Sequence, residues 1–400
     1  MQKEVHYRSS SRKIAQMLGL SFSGALIIAV LVALRHMLDT PQQLESRLPG
    51  ESNLYKWKHG YIFYKVLGAP EAPPLLLLHT PELAASAYEM RKLIEPLAQH
   101  YLVYAPDLLG FGLSDRPAID YTAETYVDLC RDFLINVVKQ PATIVASRLS
   151  CTYAVAIAAS SPHLCERLVL ISPVALAGEQ TKGNRLPVRN ASVPLMNAWA
   201  AFLQAAPVKW LLYPILSTRF ALRYELAKQH AMISAADLDY FYATTHRSGA
   251  QHASMALLAG NLAQNGSQRL ETLQQPALVI WGARGLNSAR NTGNQQDTSW
   301  IKEHTRLVLL PDAGLAVHEE HSETVIATIR EWSEEEKATA APKINSSLEA
   351  YCIKCKKKRV MLNATEVTLK NGRTALRGTC EVCGTSLHRM GRAEQGAQGV

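Results

Sequence analysis

The sequence predicts an α/β fold, with a mostly parallel sheet covered by helices and an appendage at each end. Three observations carry this. Short apolar runs of strand length alternate with helical periodicities from Ile62 to Glu335. The stretch from Ile14 to Leu34 holds 21 residues without a charge. Four of the seven cysteines form two Cys-x-x-Cys pairs near the carboxyl end, apart from the other three.

Composition divides the chain the same way. Residues 349–400 hold ten Lys/Arg against four Glu, a net +6, which leaves only +2 of the total +8 for the rest. The body is therefore not a nucleic-acid binder by charge. Its hydrophobic content is ample for a packed core, expected over residues 50–332. Cys130, Cys151 and Cys165 lie in apolar or helical surroundings and are expected as small buried hydrophobes.

Residues 1–13 form a basic tail, and residues 14–34 are expected to be an uncleaved transmembrane helix. At 1.5 Å per residue that stretch spans about 30 Å, the thickness of a bilayer core. Leu34-Arg35-His36 follows directly, without the small residues of a cleavage site. A helix on the surface of the body would carry a polar face, and this stretch is apolar on every face. Lys3, Arg8, Arg12 and Lys13 before the span, against Arg35 and Arg47 after it, would export the body. The free thiols suit a reducing compartment instead, so the side on which the body lies stays open.

Within the body, Ile62–Val66 and the apolar run Leu75–Leu78 are strand candidates, and Ala87–Gln99 reads as a helix. Tyr101–Ala105 is a strand, and Tyr126, Cys130, Phe133 and Val137 place a helix over Thr122–Lys139. Strand and helix then alternate as Thr143–Val145, Thr152–Ala159 and Arg167–Ile171. Ala277–Trp281 and Arg306–Leu310 close the set of strands, and Ser322–Glu335 is the last helix. Residues 174–273 read as helices only, an insertion rich in Leu, Ala, Trp and Phe. It would cap the carboxyl ends of the strands, where open α/β sheets bind ligands.

The order of these pieces resembles the α/β-hydrolase superfamily over roughly Tyr55 to Trp332. Leu75-Leu76-Leu77-Leu78-His79-Thr80 resembles the strand and oxyanion loop, and Asp107 to Asp115 resembles the family's Asp-x-x-Gly-x-Gly-x-Ser loop. Arg167 to Pro173, Leu278 to Gly282 and Leu309 to Gly314 resemble three later strands. The resemblance implies a nucleophile on a strand–helix elbow, Gly-x-Ser-x-Gly, with an acid and a histidine to activate it.

The stretch matching the elbow is Ala146-Ser147-Arg148-Leu149-Ser150. The nucleophile position is Arg148, the acid position Gly285 and the histidine position Leu315. A guanidinium is cationic at any accessible pH and cannot attack a carbonyl. The resemblance therefore implies a catalytically degenerate member that binds an apolar or anionic ligand or a partner. His79, Thr80, Arg148 and Leu149 would line the pocket, with Arg148 offered to an anionic group. The alternative is a hydrolase of an ester-like or lipid substrate that uses Ser147 or Ser150 with His318.

Residues 333–348 are charged and Ala/Ser-rich and read as a linker. Beyond it, Cys352-x-x-Cys355 and Cys380-x-x-Cys383 enclose 24 residues with a hairpin signal at Asn371-Gly372. Two such knuckles place four thiolates around one structural Zn²⁺, predicting a zinc ribbon over residues 349–392 and a disordered tail at 393–400. The segment resembles a small zinc-ribbon family of unknown function. Lys356, Lys357, Lys358 and Arg359 make it basic, the one part whose charge suits nucleic acid. It lacks stacking aromatics other than Tyr351, so a solvated basic face is the expectation.

Overall fold

The computed structural model describes residues 30–31, 44–173, 194–229, 234–264, 273–285, 305–340, 349–368 and 374–390. It divides into two compact units, residues 1–329 and 330–400. The expected span at 14–34 lies outside the described residues except for Val30 and Leu31, which are helical. Among the described residues no helix is long and apolar enough to cross a membrane.

The first unit is built on one eight-stranded sheet. Its strands are β1 (Glu51–Trp57), β2 (Gly60–Leu67), β3 (Pro74–Leu78), β4 (Leu102–Pro106), β5 (Ala142–Ser147), β6 (Cys165–Ile171), β7 (Ala277–Gly282) and β8 (Thr305–Leu310). They lie in the order β1-β2-β4-β3-β5-β6-β7-β8. β2 is antiparallel to both its neighbours, β1 and β4, and β4, β3, β5, β6, β7 and β8 run parallel. Every residue of β3 and β5 is buried, as expected for central strands covered on both faces. β1 was not expected. It is an edge strand, largely exposed and polar, so it lacks the apolar run that marks the others.

Two expected helices are divided. Ala87–Met90 is a 3-10 turn that leads into α1 (Arg91–Ala98). α2 (Ala123–Phe133) starts at a reciprocal cap between Thr122 and Thr125, then widens into a π turn over Leu134–Val138. Lys139, in the left-handed region at φ 61°, ends it by donating its N–H to Leu134 O at 2.8 Å. α3 (Ser150–Ser160) is apolar on all sides and almost wholly buried.

Between β6 and β7 the described residues form helices only, as predicted for the cap. These are α4 (Pro194–Gln204), α5 (Ala206–Leu216), α6 (Arg219–Gln229), α7 (Ala235–Thr245) and α8 (Ala250–Leu258). α9 (Val317–Glu320) follows β8, and α10 (Ser322–Ala340) runs through the first half of the expected linker. Glu and Ala make that segment a good helix former, which is why its charged composition misleads. The remainder of the linker, and the tail at 393–400, lie outside the described residues.

The Asp107–Asp115 loop is held from within. Asp107 accepts N–H bonds from Ala87 at 2.6 Å and Leu113 at 2.7 Å. A Cβ on Gly112, at φ +50°, would lie 2.2 Å from that carboxylate, so only glycine fits. Ser114 donates to Asp107 O at 2.6 Å and accepts from Phe63 N at 2.9 Å.

In the second unit, β9 (Glu349–Cys352), β10 (Lys357–Thr368), β11 (Thr374–Cys380) and β12 (Ser386–Met390) form an antiparallel sheet. β10 and β11 are the expected hairpin, with its turn outside the described residues. Ala350, Cys352, Met361, Leu376, Cys380 and Leu387 make its small core.

Candidate functional site

β3 and β5 are neighbours, with Leu78 paired to Ala146, so the loop after β3 and the elbow after β5 meet at one place. The sheet order reverses there, where open α/β sheets place their ligands. Only Arg148 and Leu149 separate β5 from α3. Arg148 sits at φ 44°, a left-handed conformation rare outside glycine, and its N–H bonds Ile171 O at 2.8 Å. The tight elbow is therefore present, with an arginine where the family places its nucleophile.

The guanidinium is buried and engaged. Nη2 of Arg148 lies 2.7 Å from Oε1 of Glu82 in the loop after β3, with the two side chains 8% and 30% exposed. Burial works against its charge, but Glu82 and Glu89 outweigh it and raise the arginine's pKa. Its Nε has no hydrogen-bond partner.

Behind the elbow lies a buried polar cluster centred on Glu89. Ser147 donates its hydroxyl proton to Oε1 of Glu89, and the Thr80 N–H donates to Oε2 at 2.8 Å. Nε2 of His318 stands 3.3 Å from Oε1, at ion-pair distance but not aligned for a hydrogen bond. Burial alone would raise the carboxyl, yet His318, Arg148 and Ser147 outweigh it and hold Glu89 at about 2. Arg91 grips Glu319 with two bonds, at 2.8 and 2.9 Å, and Lys92 Nζ donates to Glu319 O at 2.6 Å. The 3-10 turn and α1 are thereby tied to α9, which fixes His318 over Glu89.

The sequence-predicted residues sort as follows. Gly285 and Leu315 are brought together: a Cβ on Gly285 would lie 2.9 Å from Leu315 Cδ2 and 3.0 Å from Gly314 C and O. The backbone leaves little room for a side chain at position 285. Beside them, Glu320 accepts from Gly314 N at 2.9 Å and pairs with Arg284 at 3.0 Å. His79 is fully buried. Its Nδ1 donates to Thr80 O at 2.9 Å, so Nε2 is free to accept the Leu108 N–H at 2.9 Å. Both ring nitrogens are thus engaged with backbone groups, and Thr80 and Leu149 are buried as well. Ser150 donates to His79 O at 2.6 Å. Ser147 thus hydrogen-bonds Glu89 and Ser150 a backbone carbonyl, where a relocated triad would have a serine hydroxyl bonded to an imidazole nitrogen.

Glu82 and Glu89 were not singled out from the sequence. A signal for Glu89 exists: it shares an i, i+4 stripe with the buried Leu93 and Leu97, where a carboxylate has no place unless paired.

In the second unit the four predicted cysteines converge. The Sγ atoms of Cys352, Cys355, Cys380 and Cys383 all lie within 4.8 Å of one another, with Cys352–Cys383 at 3.4 Å and Cys355–Cys380 at 3.9 Å. A tetrahedral ion with metal–sulfur bonds of about 2.3 Å needs sulfurs about 3.8 Å apart, so the cluster fits a metal. Cys130, Cys151 and Cys165 of the first unit are buried, with burial pushing their thiols up.

Residues 68–328 match the model of the alpha/beta hydrolase family, and the chain belongs to that family. Residues 351–390 match a domain of unknown function (DUF5679). An uncharacterized protein of Mycobacterium tuberculosis (strain ATCC 25618 / H37Rv) is 33% identical over 151 residues, 38% of this chain and 42% of that protein. The 2-hydroxymuconate semialdehyde hydrolase of Pseudomonas sp. (strain CF600) is 32% identical over 112 residues, 28% and 40% of the two chains. The chain thus spans about two fifths of the length of these curated relatives. Among solved structures, a haloalkane dehalogenase variant from Bradyrhizobium elkanii aligns with a TM-score of 0.56 at 18% identity, covering 73% of this chain and 98% of that one. That likeness speaks for the fold alone.

Proposed function

We propose that this chain is a membrane-anchored, non-hydrolytic member of its family that binds a carboxylate-bearing apolar ligand at the elbow. The observation that carries this is the Arg148–Glu82 pair. The chain answers the elbow guanidinium with a carboxylate of its own, on a side chain that retains contact with solvent. A ligand carboxylate would take the place of Glu82 on the fork of Arg148. The 2-hydroxymuconate semialdehyde hydrolase, named for a carboxylated substrate, is a relative consistent with that chemistry.

Loss of hydrolysis follows from the protonation chemistry. The Ser147 hydroxyl hydrogen-bonds a carboxylate held at about 2, far too weak a base to deprotonate it near neutral pH. A fluorophosphonate probe tests this: no serine of the purified chain should be labelled. Labelling abolished by Ser147→Ala or Ser150→Ala would instead establish the relocated-serine hydrolase.

The anchor is the uncharged stretch 14–34, and the ribbon holds one structural Zn²⁺ on Cys352, Cys355, Cys380 and Cys383. Zinc is favoured by an all-thiolate tetrahedral donor set. When bound, the ion would cross-link two knuckles whose own core is only a few residues.

A further inference from the structure

The cap carries an exposed apolar face that no part of the site explains. On α6, Phe220 is 83% exposed, and Tyr224, one turn on, is exposed beside it. On α4, Trp199 and Phe202 are each just over half exposed, and their rings stack at 5.6 Å. Trp210 and Ile215 of α5 are exposed between them in sequence, and α5 packs against both α4 and α6. Single exposed apolar side chains are ordinary, but six large ones on three successive packed helices are more than scattered exposure accounts for.

The chain enters the body at this same element. Leu44, the first described residue of the body, packs into the cluster of Leu222, Leu226, Tyr240 and Phe241 on the inner faces of α6 and α7. Arg47 donates to Ala236 O at 2.8 Å, and its guanidinium lies 5.3 Å from the Tyr240 ring centre. Only residues 35–43 separate the uncharged stretch from Leu44. Fully extended, they reach at most about 30 Å. Whatever surface holds residues 14–34 is therefore tethered to the inner side of α6, whose outer side shows Phe220 and Tyr224.

We propose that the outer face of α4–α6 seats on the surface of the bilayer that holds the anchor, so that the cap faces the membrane. This rests on reading residues 14–34 as a membrane span. The composition suits an interfacial occupant: Trp, Phe and Tyr take the headgroup boundary, where an apolar ring and a polar edge are both satisfied. Residues 194–229 carry Lys209, Arg219, Arg223 and Lys228 against Glu225, a net +3 suited to anionic headgroups. An apolar ligand could then pass between bilayer and cap without crossing water.

The test uses the full chain in vesicles of phosphatidylcholine and phosphatidylglycerol whose acyl chains carry bromine near the headgroup end. Tryptophan emission should be quenched, and the conservative double variant W199F/W210F should remove at least half of that quenching. An alkaline carbonate wash of the same vesicles reads the anchor separately. Protein that resists the wash but whose quenching is unchanged by W199F/W210F overturns the docking and leaves the anchor standing. Protein that washes off yet still shows W199F/W210F-dependent quenching on added vesicles keeps the docking and overturns the anchor. A detergent-solubilised dimer lost in Phe220→Ser, with no lipid quenching, overturns the proposal in favour of a second copy of the chain.

Discussion

Nη2 of Arg148 stands 2.7 Å from Oε1 of Glu82, so the elbow after β5 is bonded to the loop after β3 by an ion pair. In a serine hydrolase these two elements face each other across a reacting carbonyl, one holding the nucleophile and the other the oxyanion donors. Here the same two elements hold each other.

Breaking that pair from one side leaves a charge behind. Arg148→Ser should cost about 2–3 kcal/mol, less than a fully buried pair because Glu82 keeps some solvent. For a body of this size that lowers Tm by roughly 4–10 °C. Adding Glu82→Gln should recover part of the loss. Strict additivity in the double-mutant cycle would show that the two side chains do not interact.

Exchange of Glu82 for an external carboxylate has its own signature. Glu82→Gln should tighten binding of a medium-chain fatty acid such as decanoate by about tenfold, since the internal competitor is gone. Arg148→Gln should abolish it. Equal affinity in wild type and both variants, measured by calorimetry, would remove the guanidinium from ligand recognition.

Glu89 sets a pH dependence. Folding lowers its carboxyl from 4.5 to about 2, so its ionised form stabilises the fold above pH 4.5. That contribution is lost as pH falls through about 2. Glu89→Gln should therefore be less stable than wild type at pH 7, by roughly 3 kcal/mol. The gap should narrow between pH 4.5 and 2 in urea titrations. A gap that stays constant over that window would mean that the charge on Glu89 is not what stabilises the cluster.

Rebuilding the triad should fail. Gly285→Asp forces a Cβ to within 3.0 Å of the Gly314 backbone, at a cost of about 1–3 kcal/mol. The triple variant R148S/G285D/L315H also leaves Glu89 beside the elbow. No hydrolysis of p-nitrophenyl acetate above the wild-type background is expected. Turnover that depends on all three changes would show the elbow to be ready for catalysis.

The ribbon should carry one Zn²⁺ per chain by native mass spectrometry, and Cys380→Ser should lose it. Chelation should abolish amide protection in residues 349–390, because bound metal supplies much of the folding energy of so small a unit. Protection that survives complete removal of metal would make the four thiols structural without an ion.

Much of the fold was legible in the chain, for a local reason. A buried parallel strand must be apolar throughout, so Leu75–Leu78 and Ala277–Trp281 announce themselves. The edge strand Glu51–Trp57 is half solvated and has no such mark. The split of Thr122–Lys139 is equally silent, since Leu134–Val138 stays apolar whether the turn is α or π. The four cysteines were legible because two short loops suffice to bring them together.

What residues 1–400 determined unaided was the fold class, that Arg148, Gly285 and Leu315 stand where the motifs put them, and the thiol cluster. Each is a statement about which side chain stands at a motif position. Which side chain answers Arg148, and that Glu89 accepts the Ser147 hydroxyl's hydrogen bond with His318 at ion-pair distance from the same carboxylate, only the tertiary structure decided. Those partners lie 66, 58 and 229 residues apart in the chain, from 148 to 82, 147 to 89 and 89 to 318. No local pattern encodes such a pairing. It follows from the sheet order that sets β3 beside β5 and from the clamp that ties α9 to α1.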